Sequence, residues 1–131
     1  MIAVGHALRR WHETHPSLAA LQADGTPLFV RLVTDPDAQA AANAKAVLEL
    51  RFGSTETRAL VPFTVTETVT CAENVDLGTV VSAIVTALNG KAYLEDKDAA
   101  IHRLTMVSVR TASVPGLALE ATIEWEGEAS W

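Results

Sequence analysis

Cysteine is nearly missing from this chain: Cys71 is alone among 131 residues. One thiol can neither close an internal disulfide nor supply a multi-cysteine zinc site, so the chain is compatible with a reducing cytosol and implies no redox role. Positive charge is also scarce, with ten Lys and Arg against sixteen Asp and Glu and a formal net charge of -6. That sign repels phosphate, and no direct nucleic-acid binding is expected. Long apolar runs are lacking too. The longest, residues 75–88, is interrupted by Asp76, Thr79, Ser82 and Thr86 and is too short to cross a bilayer, so no membrane partner is expected. At the N-terminus Arg9 and Arg10 follow a short apolar stretch, the reverse of a secretory signal, and no export is expected.

What is present suits a globular protein. A hydrophobic content of 49% and a charged content of 20% argue against a disordered or fibrous chain. The length fits one domain, residues 1–131, with one core.

Val4, Ala7, Leu8 and Trp11 recur at helical spacing, with His6, Arg9, Arg10, His12 and Glu13 mostly on the other side, which predicts an amphipathic helix over 2–14. Pro16 breaks it, Ser17 can cap a short turn through Leu18 and Leu21, and Asp24-Gly25 ends that turn. Leu28 to Val33, opened by Pro27, reads as a short strand. Residues 34–45, which include Asp35, Asp37, Gln39 and Asn43, carry turn chemistry and no apolar stripe, and read as a long loop.

From Ala46 the period becomes two. Leu48, Leu50 and Phe52 share one face and Val47, Glu49 and Arg51 the other, a half-buried strand. After a turn at Gly53-Ser54, residues 57–71 alternate again: Ala59, Val61, Phe63, Val65, Val69 and Cys71 against Leu60, Pro62, Thr64, Thr66, Thr68 and Thr70. Such a strand would run about 50 Å, so Pro62 is expected to mark a bulge or an edge.

Asn74 or Asp76 can cap the next helix, which carries Leu77, Val80, Val81, Ile84 and Leu88 on one face and stops at Asn89-Gly90. A polar loop from Tyr93 to Asp98 is expected to lead into a strand over 102–112, then a turn at Val114-Pro115-Gly116. The last strand points Leu117, Leu119, Ala121, Ile123 and Trp125 inward and Ala118, Glu120, Thr122, Glu124 and Glu126 outward. The expected fold is α+β, in the order α-β-β-β-α-β-β. Its sheet is mainly antiparallel, of four or five strands, with two helices packed on one face.

No catalytic constellation, cofactor motif or metal site is legible. Only His12 and His15 of the four histidines have a usable spacing, whereas a catalytic zinc needs three ligands, so these read as solvated helix residues. Cys71 ends an alternating strand on its apolar side and reads as a small core residue. The serines lack a nucleophile-elbow turn, and no glycine cluster resembles a phosphate loop.

Four surfaces remain as candidate interfaces, the first being the 34–45 loop with Asp35, Asp37, Gln39 and Asn43. Glu120, Glu124 and Glu126 form an outward acidic row, either a solvated strand face or a surface that lines a ring or meets a basic partner. The threonine row with Thr64, Thr66 and Thr68 is either an exposed β face or an interface. Trp131 is either frayed or docked on a neighbouring subunit, whereas Trp11 reads as core.

The layout, carried by Ala7-Leu8-Arg9-Arg10-Trp11, Pro16-Ser17-Leu18-Ala19-Ala20-Leu21, the strand Val65 to Cys71 leading into Val80 to Leu88 and Asn89-Gly90-Lys91, and the hairpin Met106 to Glu126, resembles the tail terminator or tail completion proteins of long-tailed bacteriophages. The resemblance implies a structural subunit that catalyses no reaction. It would form a ring, typically a hexamer, that caps the head-proximal end of the tail tube, stops tube polymerisation and offers a surface to the head. The implied partners are other copies of the chain, the tail tube protein and a head-completion or connector protein. The implied place is the virion tail, after assembly in the host cytoplasm. Residues 34–45 and 53–62 would be segments that order against neighbours. A head-closure or neck protein is the nearest variant, and a small ligand-binding α+β domain with a pocket between helices and sheet is the rival from another class.

Overall fold

Val4, Ala7 and Leu8 share one helical face, and in the computed structural model they form the buried side of helix α1, Ile2–Thr14. Pro16 ends that helix and opens the next, α2, Pro16–Ala20. The cap of α2 is His15 and not Ser17: the His15 backbone is extended and its Nδ1 accepts the Ser17 N–H at 3.2 Å. Proline is the cause, because it suits the first helical position and forces the residue before it into an extended conformation. The structure describes residues 2–22, 28–32, 46–52, 61–72, 75–90, 92–96, 99–113 and 119–130.

Strands β1 (Leu28–Leu32), β2 (Ala46–Phe52), β3 (Val61–Cys71), β4 (Ala92–Asp96), β5 (Ala99–Ser113) and β6 (Leu119–Ser130) form one sheet in the order β1-β2-β3-β6-β5-β4. Among the described strands only β1 and β2 pair parallel. A parallel neighbour requires a long return, which the length of residues 33–45 provides. Helix α3, Leu77–Leu88, is capped by Asp76, whose side chain accepts from the Gly78 N–H and the Thr79 hydroxyl. It ends at Asn89 and Gly90, the latter with φ of 72°, a conformation that glycine adopts without penalty.

The expected class and element order hold: α+β, mainly antiparallel, with the helices on one face. Helix α2 and strand β4 add to that order, and the sheet has six strands where four or five were expected. Residues 92–96, expected as loop, pair with Ala99–Arg103 of β5, so β5 begins at Ala99. Short strands with charged residues are tolerated at a sheet border, where one side meets water; this is how a stretch containing Glu95 and Asp96 can be a strand. Pro62 pairs with Glu128, beyond the last β2 pairing at Phe52 with Val65. Among the described residues its strand partner therefore lies on the β6 side alone, a position that suits a residue with no N–H to donate. The readings of Asp24-Gly25, 34–45, Gly53-Ser54, 57–60 and Val114-Pro115-Gly116 fall outside the described residues.

The inner face of the sheet and the helices enclose one apolar core that joins Leu8, Leu48, Val65, Ile84, Leu104 and Trp125. Gly127 lies opposite Phe63 in the β3–β6 register, and a Cβ there would approach the Phe63 ring to 2.6 Å and the Arg103 carbonyl to 2.5 Å. No helix among the described residues is long and apolar enough to cross a membrane.

Candidate functional site

The face of the sheet away from the helices is built by the alternate residues of β2, β3, β6 and β5. The β3–β6 register sets Thr64 opposite Glu126, Thr66 opposite Glu124, Thr68 opposite Thr122 and Thr70 opposite Glu120. The threonine row and the acidic row, far apart in sequence, are thus one surface. Thr66 Oγ1 donates to Glu124 Oε2 at 2.9 Å.

Strand β5 brings arginines alongside the acids. Arg110 Nη2 lies 3.8 Å from Glu124 Oε1, and Arg103 Nη2 lies 3.5 Å from Glu128 Oε1. Both arginine side chains are about half or more exposed, so each pair contributes only about 0–1 kcal/mol. Glu120 faces Ala112 and Glu126 faces Thr105 on that side, and among the described residues neither carboxylate has an ionic partner. Of the four glutamates on this face of β6, Glu124 and Glu128 thus have an arginine beside them, and Glu120 and Glu126 have none among the described residues. Sequence order hid this, because the arginines belong to the neighbouring strand.

A second polar constellation lies inside. His12 Nδ1 donates to the Leu8 carbonyl at 2.8 Å, and His12 Nε2 meets Glu67 Oε2 at 2.9 Å. Trp125 Nε1 donates to Glu67 Oε1 at 2.9 Å. Burial by itself lowers the His12 pKa, but the Glu67 carboxylate and its hydrogen bond, with the Leu8 carbonyl and Glu13, outweigh it and raise the net value above 6.5. His12 is thus not the solvated helix residue expected: it and Glu67 have no solvent-exposed side-chain surface. The arrangement can hold a proton between two sealed groups and ties α1 to β3 and β6. Its signal in the sequence was phase. Glu67 alternates with Val65 and Val69 on the buried side, and His12 falls one turn after Leu8.

The other histidines are dispersed. His6 is exposed, His15 caps α2 and stacks edge-on against Trp11 with ring centroids 5.2 Å apart, and His102 Nε2 bonds to Ser130 Oγ at 2.8 Å. Among the described residues no three His, Cys, Asp or Glu side chains gather as metal ligands. Cys71 is buried, as expected, and burial followed by the nearby Asp76 pushes its thiol pKa up, away from a reactive thiolate. Trp11 packs against the core. Two open depressions are lined by Ser17, Asp76 and Thr79 between α2 and α3, and by His6, Arg10 and Glu13 along α1; both lie on the outer surface of the helices. Asp35, Asp37, Gln39, Asn43 and Trp131 lie outside the described residues.

No family model matches the chain, and no curated protein matches it in sequence.

Proposed function

We propose that the chain is a ring-forming assembly subunit of the tail-terminator kind, one that caps the head-proximal end of a phage tail tube and presents a surface to the head. The observation that carries the reading is the β3–β6 face turned away from the helices, which no helix among the described residues covers, with Thr64, Thr66 and Thr68 set against Glu124 and Glu126. A sheet that buries one side under helices and turns threonines and glutamates outward on the other offers a broad polar surface rather than a cavity. Such a surface suits a protein partner or the lining of a wide channel better than it suits a small molecule, which binds in concave sites. The resemblance of the sequence layout to tail terminators supports the same reading.

The test is the solution mass of the purified protein together with electron microscopy of tail tubes in its presence. The expected result is a closed ring whose mass is a multiple of 14.0 kDa, seated on one end of each tube. A strict monomer that leaves tube ends bare overturns the reading, and a monomer that retains a small molecule favours a ligand-binding domain instead.

A further inference from the structure

The two borders of the sheet are matched to each other. Following the register across the sheet, Phe29 lies level with Ala112, Val30 with Thr111, Arg31 with Arg110 and Leu32 with Val109. On one border β1 has, among the described residues, a strand neighbour only on its β2 side. On the other, β4 covers only Ala99–Arg103 of β5, and the end of α3 holds the next positions: the Gly90 N–H donates to the Leu104 carbonyl at 3.0 Å, and the Met106 N–H donates to Asn89 Oδ1 at 2.8 Å. A register shift between Met106 and Ser108 follows. From Val107 to Ser113, no partner among the described residues lies on the side away from β6. Among the described residues the large hydrophobic side chains that stay exposed, Val107 at 56% and Val109 at 38%, are both on this border.

We infer that Val107–Ser113 of one copy pairs with β1, Leu28–Leu32, of the next copy, so that the sheet continues from subunit to subunit. Resting on the ring reading above, this names the contact that would build the ring. Strand sense agrees. β1 runs with β2 and β6 and against β3 and β5, so a neighbour's β5 beside β1 makes an antiparallel ladder, the more stable kind. The contact joins different surfaces of identical chains, and such heterologous contacts propagate until a rotation closes them into a ring. Level pairing would set Arg110 opposite Arg31, like charges face to face. A slip of two residues keeps every side chain on its own face and puts Ser108 or Ala112 there instead. Closing a sheet on itself requires such a stagger.

Disulfide trapping in the full chain tests this, with Cys71 left in place because it is buried. Within one molecule β1 and β5 are four strand spacings apart, about 19 Å, far beyond disulfide reach, about 7 Å between Cα atoms. Val30→Cys is mixed separately with Val109→Cys, Thr111→Cys and Ser113→Cys, which together span a slip of two residues either way. The expected result is a cross-linked pair in one of the three mixtures and none with a single variant alone. The matching double variant should give a ladder of multimers, each variant melting within a few degrees of wild type. Rings in which no mixture cross-links overturn this contact and leave capping standing. Dimers formed by Thr111→Cys alone overturn it in favour of a two-fold β5 contact, and a monomeric wild type overturns it together with the ring. Cross-linked rings that leave tube ends bare support the contact and overturn only the capping.

Discussion

Strands β3 and β6 carry glutamates on both sides, and the two sides treat them differently. Glu67 points inward, has no exposed surface, and has each oxygen occupied by a donor, His12 or Trp125. Glu124 points outward, is 32% exposed, and shares its oxygens with Thr66 and Arg110 at the edge of water. The residue type is the same and so is the strand pair; burial sets the energetic weight. Removing one partner of a buried pair strands the other without water, whereas a surface pair is replaced by solvent at almost no cost. The inner face is therefore committed to folding, and the outer face is free to be spent on association.

Glu67→Ala should break the comparison hardest. It leaves the His12 ring and the Trp125 N–H buried without an acceptor, and a loss of about 3–5 kcal/mol is expected in urea unfolding. A loss below about 1 kcal/mol would mean that the three groups merely fill space. Gly127→Ala comes next. Its methyl group would press on the Phe63 ring and the Arg103 carbonyl, and the latter is backbone that cannot turn aside, so a loss of about 1–3 kcal/mol is expected. Thermal melting of this variant beside one that also carries Phe63→Leu shows which contact dominates, since recovery in the double variant assigns the strain to the ring.

A pH series sharpens the contrast further. The folded pKa of His12 is raised above 6.5, so the folded state holds this proton more tightly than the unfolded chain does. Its stabilising contribution is fully present below about 6.5 and is lost as pH rises through the folded value. His12→Gln should therefore cost more stability at pH 6 than at pH 9. A cost that is flat or grows with pH would show that the imidazole is neutral in the folded protein.

Much of this fold was legible from periodicity, and the places where it was not share a physical cause. α1 and α3 were recoverable because their apolar stripes repeat at helical spacing and their ends carry proline, aspartate and the Asn89-Gly90 stop. β4 was hidden because five residues are too few to show a period and because its charged residues, Glu95 and Asp96, read as loop chemistry before the partner Ala99–Arg103 is reached. His12 and Glu67 were hidden because each is polar in isolation, and only the pairing across 55 positions of sequence makes their burial tolerable. For the outer face, alternation identified which threonines and glutamates point away from the core. That they adjoin, and that arginines from β5 lie beside Glu124 and Glu128, depends on strand order, which no local pattern encodes.

The smallest effect on stability should come from reversing the open acids, and it is the one that bears most directly on function. Glu120 and Glu126 have no ionic partner among the described residues, so Glu120→Lys with Glu126→Lys leaves no buried group stranded and should change unfolding free energy by less than about 0.5 kcal/mol. Adding Glu124→Lys places a cation beside Arg110 and releases the Thr66 hydroxyl, both at the surface, for at most about 1 kcal/mol more. If this face meets a partner or lines the ring, capping of tail tubes by the triple variant should fail while its melting curve stays close to wild type. Weakened capping in high salt by the wild-type protein would point the same way, because exposed charges are screened over about 10 Å at 0.1 M salt. Unchanged assembly after reversal at all three positions would remove the acidic row from the mechanism. The threonine row and the sheet borders would then be the surfaces left to carry it.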